Sequence, residues 1–320
     1  MARQAREDRK MRIPAVADPQ VSIIVNPSKP RDVLGDAKRF FHDSYPGEDF
    51  RLLERAFVLT KRLFDGRFPG YLACAAEYHD YAHTVSVFAA ASRLLDGCAL
   101  AGMGIHPEVA SDVLVAALLH DAGYIREEGD NAGTGAQYTR VHVDRSAAFA
   151  LREASAFGLA PERAARIGRM ILGTDLARPL GVLEHECARE DERQGIEILA
   201  AADLLGQMSD RAYIEKLLFL YYEFREAGIE GYNSAFDILR KTAGFYESTK
   251  ARLDGPLGRV SGRSREHFAT RYGIDRDLYR EAISRQMAYL DSILANDATN
   301  FRSKLKRLDL ASIERLHDAS

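Results

Sequence analysis

Long apolar runs, a surplus of charge of one sign and clustered cysteines are all missing from this chain of 320 residues. The longest uninterrupted apolar run, Val113 to Leu119, is far shorter than the roughly 20 residues a helix needs to cross a bilayer. No membrane span is expected. The first dozen residues are basic, but Val21-Ser-Ile-Ile-Val25 is too short for the apolar part of a signal peptide, which argues against secretion. Three cysteines, Cys74, Cys98 and Cys187, are odd in number and widely spaced. They form neither a disulfide framework nor a CxxC metal knuckle, and a reduced, cytoplasmic setting fits. Lysine and arginine total 44 against 47 acidic residues, so no global field draws the protein to nucleic acid. With 46% hydrophobic residues there is ample material for one sizeable core, or at most two domains.

Strand signals are as scarce. Only Val21–Val25 reads as a short strand, and alternating β-branched runs with hairpin turns are nearly absent. From Asp49 onward apolar residues recur at three and four, the helical period. Phe50, Leu53, Phe57 and Phe64 form one stripe, and Ile196, Leu199, Ala200 and Leu204 another. Val113, Leu114, Ala117 and Leu118 form a third, in a helix opened by Pro107 and stopped by Gly123. A fourth, aromatic-rich stripe runs from Tyr213 to Phe224 and reads as core. The expectation is an all-α fold in three parts: an irregular arm over 1–48, a helical-bundle domain over 49–295, and a C-terminal segment, 296–320, carrying an amphipathic basic helix from Asn300 to Leu316.

Four of the nine histidines are followed by aspartate, so a His-Asp pair alone selects nothing. His42-Asp43 and His317-Asp318 read as solvated surface. His120-Asp121 ends the most apolar helix of the chain, and an isolated buried carboxylate costs several kcal/mol or more unless paired. A solvent-facing helix end is the alternative there. Asp203 shares a helical face with Ile196, Leu199, Ala200 and Gln207, with no Lys or Arg within a turn of it. Its partner is therefore a cation or a distant arginine. His79 and His83 stand at i and i+4, so a helix would project both imidazoles from one face. Imidazole and carboxylate together suit Mn²⁺, Fe or Zn²⁺, the carboxylates also tolerating Mg²⁺. His83, His120, Asp121 and Asp203 thus make a two-His, two-carboxylate set drawn from three helices, as bundles build metal sites.

The order of these residues resembles the HD-domain superfamily of metal-dependent phosphohydrolases, whose ligands run H…HD…D on an all-helical core. The motif layout is most similar to the catalytic domain of class I cyclic-nucleotide phosphodiesterases. Tyr78-His79-Asp80-Tyr81-Ala82-His83 parallels the family's Tyr-His-Asn-x-x-His. The segment from His120 to Asn131 parallels its His-Asp-x-x-His-x-Gly-x-x-Asn, elongated and with Tyr124 in place of the second His. Gly173-Thr-Asp-Leu176 echoes a Thr-Asp-Met stretch, and Ala202-Asp203-Leu204 matches the context of the last ligand. The resemblance implies that His83, His120, Asp121 and Asp203 hold a first metal, that Asp121 bridges to a second, and that His79 protonates the leaving oxygen. A histidine is apt for that role because its imidazole titrates near neutrality.

Other residues are open to two readings. His142 is a ligand of a second metal or a helix-start histidine bound to backbone. Gln207 reads a substrate group or is an amide at the core rim. Gly129–Gly135 lacks the Lys-Ser/Thr of a phosphate loop, and a mobile loop bordering the site is expected instead. The basic run from Arg302 to Arg307 reads as a solvated face rather than a phosphate contact. The expected activity is metal-dependent hydrolysis of a phosphoester, a phosphodiester or nucleotide, with one or two divalent ions (Mn, Mg, Fe or Zn) as cofactors. The expected partner is a small phosphorylated substrate, with no nucleic acid and no membrane, and a homodimer is left open. The alternatives are a degenerate HD module that binds nucleotide as a sensor, and an HD-type di-iron oxygenase.

Overall fold

The computed structural model describes residues 18–295 and 300–308. Its longer helices are α1 (Pro30–Ser44), α2 (Arg51–Phe64), α3 (Tyr81–Leu100), α4 (Pro107–Leu119), α5 (His142–Arg152) and α6 (Pro161–Leu172). They continue with α7 (Glu190–Met208), α8 (Tyr213–Glu226), α9 (Ala235–Asp254), α10 (Ser264–Tyr272) and α11 (Leu278–Leu294). Among the described residues, β-pairing is confined to two isolated bridges, Asp65–Ala73 and Tyr71–Glu127. The fold is all-α. No helix of the described residues is long and apolar enough to cross a membrane.

A helix that is apolar on every side belongs in the interior of a globule. Every residue of α3 from His83 to Cys98 is buried, as is every residue of α4 from Val109 to Leu119. These two pack on each other and on α7, and the three form the centre of the bundle. Gly206 lets α7 come close to α3, since a Cβ there would stand 3.0 Å from the Val87 backbone nitrogen. The α5–α6 pair covers α4 on one flank, while α1 and α10 lie against α3.

The ends of these helices deliver the polar residues. Asp80 caps α3, its carboxylate accepting the His83 backbone N–H at 2.7 Å. Because α3 begins only after Asp80, His79 is not on the helix, and the bend before the cap rather than an i, i+4 face brings its ring to 5.9 Å from that of His83. Pro107 occupies the first turn of α4, and the helix ends at His120.

The arm expected over 1–48 differs as well. Residues 1–17 lie outside the described part, Val21–Ile24 is a helical turn rather than a strand, and Pro30–Ser44 is a 15-residue helix. Pro30 sits at the start of α1, where a missing N–H costs nothing, so it opens a helix instead of breaking one. Val33, Ala37, Phe40 and Phe41 then bury one face, and one continuous core runs from Val21 to Leu305. The helix expected from Asn300 is, over the described residues, a single 3-10 turn at Phe301–Lys304. Phe301 and Leu305 are both buried, which draws the chain inward instead of letting it continue as a surface helix. Residues 309–316 of that expectation, and His317-Asp318, lie outside the described part.

Candidate metal centre

Three helix ends converge on one point. The first turn of α3 supplies His83, the end of α4 supplies His120 and Asp121, and the last third of α7 supplies Asp203. His120 Nε2 lies 3.2 Å from His83 Nε2, 3.1 Å from Asp121 Oδ2 and 3.7 Å from Asp203 Oδ1. His83 Nε2 lies 3.2 Å from Asp121 Oδ2 and 3.4 Å from Asp203 Oδ1. His83, His120 and Asp121 place their ligand atoms within 4.8 Å of one another, and Asp203 approaches that group from the side of the two imidazoles. No Lys or Arg of the described residues forms an ion pair with Asp203, and Arg252 acts on it only at longer range.

Proton accounting exposes what the cluster lacks. His120 Nδ1 donates to the Ala117 carbonyl at 2.9 Å, which fixes its tautomer and leaves a lone pair on Nε2. His83 Nε2, Asp121 Oδ2 and Asp203 Oδ1 all face that nitrogen, at 3.2, 3.1 and 3.7 Å. Asp121 Oδ2, fully buried, ends with no hydrogen bond. An unmatched buried carboxylate oxygen is costly. The donor set of two imidazoles and two carboxylates fits a divalent cation, which would satisfy all of these groups at once. Burial opposes a charge on His83, but the Asp121 and Asp203 carboxylates outweigh it and raise its pKa to about 10. Burial likewise opposes ionisation of Asp121, yet the facing histidines, His120 foremost, hold it well below the usual carboxylate range.

Exposure is graded across the cluster. The side chains of His83, His120 and Asp121 are 6, 2 and 3% exposed, whereas His79, Asp203 and His142 are 14, 17 and 22% exposed. The latter three are the more exposed side chains around the cluster. His79 is held there by Glu223 of α8, whose Oε2 accepts from His79 Nδ1 at 2.6 Å. Glu223 Oε1 accepts the Tyr78 backbone N–H at 2.8 Å. The grip on Nδ1 leaves His79 Nε2 uncommitted. Glu223 was hidden inside an aromatic stripe, but it carries the same signal as Asp203, an acid three and four residues after the apolar, partly buried Leu220 and Phe219.

Gln207 is not available to a ligand through its oxygen, because Oε1 accepts the Tyr78 hydroxyl at 2.9 Å. It braces the segment that carries His79. His142 starts α5 with Nδ1 donating to the Thr139 carbonyl at 2.7 Å, which is the helix-start, backbone-bound reading of it. The backbone contact is real, and it aims the lone pair of Nε2 at Asp121 Oδ1, 3.8 Å away. Burial pushes its pKa down, keeping it neutral and able to ligate. Gly123 permits this approach: a Cβ there would stand 2.0 Å from the His142 carbonyl, and its N–H is taken by Ser146 Oγ at 2.8 Å. Between the two histidines lies Tyr124, whose ring stacks on His79 (4.2 Å, 12°) and on His142 (4.5 Å, 26°). Burial and the nearby Asp121 carboxylate push its phenol well above the usual range.

Around the opening, Arg252 of α9 donates to the carbonyls of Gly173 (3.3 Å) and Leu176 (3.4 Å), tying down the Gly173–Leu176 stretch. The Gly129–Gly135 loop is fastened by Glu226, one turn after Glu223: its carboxylate accepts from Thr134 N, Thr134 Oγ1 and Gln137 N. Of the basic run, Arg307 is committed to the Gln286 amide at 2.7 Å and stacks on Tyr289. That use is internal.

Comparison with known proteins adds little to this geometry. A family model described as Npun_R2479-like matches residues 128–253, less than half of the chain. The matched stretch includes His142, Asp203 and Glu223 and begins after Asp121. No curated protein and no solved structure matches significantly.

Proposed function

We propose that the protein is a metal-dependent phosphohydrolase of the HD-domain type, acting on a small phosphodiester or nucleotide. The observation that carries this reading is the surplus of acceptors where His83, His120, Asp121 and Asp203 meet, with Asp121 Oδ2 buried and unmatched. A divalent ion held by these four residues supplies Lewis-acid polarisation of a phosphoryl oxygen and lowers the pKa of an attacking water. Asp121 Oδ1 and His142 Nε2, 3.8 Å apart, are the pair available to a second ion.

The chain's own groups divide the remaining work. His79, oriented through Nδ1 by Glu223, presents Nε2 at the open side and donates a proton to the departing oxygen. The Glu223 carboxylate stabilises the protonated imidazole before that transfer. Tyr78, held by Gln207 and through its backbone by Glu223, keeps the histidine from swinging away. Burial of the cluster floor excludes bulk water, which strengthens each electrostatic contact.

Hydrolysis of bis(nitrophenyl) phosphate by the purified protein, with Mn²⁺ and with chelator, tests the reading. Metal-dependent release of nitrophenol that Asp121→Ala abolishes is the expected result. Binding of a nucleotide with no product under any metal would favour a sensor module. Bound iron with oxygen-dependent turnover would favour the oxygenase.

A further inference from the structure

Helix α4 stops at Leu119, so the chain leaves its hydrogen-bond ladder at the His120-Asp121 pair. The path onward is a single 3-10 turn, Ala122–Tyr124, in which the Tyr124 N–H reaches the Asp121 carbonyl at 3.1 Å. Such turns are short and poorly bonded by themselves. This one is gripped by α5. The Gly123 N–H donates to Ser146 Oγ at 2.8 Å, and the Gly123 carbonyl accepts from Arg145 Nε at 2.8 Å. Arg145 Nη2 takes the Ile125 carbonyl at 3.3 Å, and its guanidinium lies 3.6 Å from the centre of the Tyr138 ring. Consecutive side chains of one helix thus hold both polar atoms of one backbone residue, and Ser146 is fully buried while doing so. One turn earlier the same helix presents His142, whose Nε2 lies 3.8 Å from Asp121 Oδ1. The spacing of that pair follows from how α5 sits on the turn.

We propose that Ser146 and Arg145 are positioning residues that fix the Asp121–His142 spacing and thereby set the affinity for a second divalent ion. This rests on the metal-hydrolase reading and extends it to two residues that touch neither metal nor substrate. The first ion depends on them less, because His83 and Asp203 come from α3 and α7, which pack directly on each other. Metal sites tolerate only about 0.2 Å of error in ligand distance. Partners one step behind the ligands are accordingly worth about 10- to 100-fold in affinity.

The test is titration of manganese into the metal-free full chain by calorimetry, with bound ions counted by equilibrium dialysis. The parent protein should take up two ions. Ser146→Ala should weaken the second by about 10- to 100-fold and the first by less than about threefold. Arg145→Met, which keeps an apolar stem beside Tyr138 and removes the donors, should do the same. Ser92→Ala removes another buried hydroxyl, one that donates to the Ala89 carbonyl at 2.9 Å in α3, and should leave both affinities unchanged. Second-ion affinity within twofold of the parent in both α5 variants would overturn the proposal. Equal weakening of both ions would do so too, since it marks a general loosening of the fold. A parent protein that binds a single ion overturns the proposal and leaves the phosphohydrolase reading standing, whereas one that binds none removes both.

Discussion

Two buried histidine–aspartate clusters sit at opposite ends of one helix. His83 is in the first turn of α3 and Asp96 in its last, thirteen positions and about 20 Å apart. At the far end Asp96 is saturated. Its Oδ2 accepts from His267 Nδ1 (2.6 Å) and Arg271 Nε (3.0 Å), and its Oδ1 from Arg271 Nη2 (2.5 Å) and Ser44 Oγ (3.0 Å). At the near end two imidazoles and two carboxylates crowd together, and Asp121 Oδ2 makes no hydrogen bond. The central aspartates of both are buried, Asp96 at 0% and Asp121 at 3% exposure, so burial of the carboxylate does not separate them. What separates them is how the carboxylate is matched: Asp96 is satisfied from within the chain, with His267 Nε2 as the atom left over, whereas Asp121 Oδ2 has no hydrogen bond.

The sharpest break of that contrast is a pair of truncations. Asp121→Ala should lower turnover by about three orders of magnitude, the several kcal/mol a metal contributes to the transition state. It should also abolish the metal-induced rise in melting temperature while leaving metal-free stability nearly unchanged. Asp96→Ala should do the reverse, costing about 3–5 kcal/mol by stranding Arg271 in the interior, with metal affinity per folded molecule retained. Urea titration with and without manganese reads both.

Next in size are the residues at the open side. His79→Ala should cut kcat by about 10²–10⁴, the usual worth of a general acid, with manganese content intact. Loss of metal would make His79 a ligand instead. Glu223→Gln should cut kcat by about tenfold or more through misorientation of the imidazole, with little change in KM. Steady-state kinetics of the two variants side by side would show whether Glu223 acts through His79.

Acid should unmake the closed cluster first. Burial lowers the His267 pKa to about 4 against an ordinary value of 6.5, partly opposed by Asp96. Between those values the unfolded chain binds a proton that the folded chain refuses, so stability falls as pH drops from 6.5 to 4, by up to about 3 kcal/mol. Burial alone would raise Asp96, but His267 and Arg271 hold it near 2, so its contribution is lost only at still lower pH. The urea midpoint at pH 7 and at pH 4.5 measures this, and His267→Gln should flatten the difference. The smallest effect expected is that of Gln207→Ala: kcat/KM should change by less than about threefold, because Gln207 braces Tyr78 at a distance from the reacting atoms.

The part of the site borne by regular helices was legible in the chain. Asp203 betrayed itself as an acid in an apolar face, and His120-Asp121 as a charged end to the most apolar helix. Residues placed by a bend or by a distant element were not. His79 reaches the centre from outside α3, and only the Glu223 contact, 144 positions away, explains how. Prolines misled at the start of the chain, since Pro30 marks a helix start as readily as a break. The aspartate at 96 and histidine at 267 gave no local signal at all, because their pairing spans 171 positions.

The complete enclosure of α3 and α4 bears on how the chain can be divided. A fragment bounded by the family match, 128–253, would keep α5 to α8 and nearly all of α9, with Asp203, His142 and Glu223. It would lack the two innermost helices and leave the apolar wall of α7 facing water, a surface prone to self-association. Such a piece should be recovered in aggregates when produced alone. Supplied in the same cell with a second piece carrying α1 to α4, it should become soluble, and reassembly of the two halves should restore both the central packing and the cluster that spans the cut.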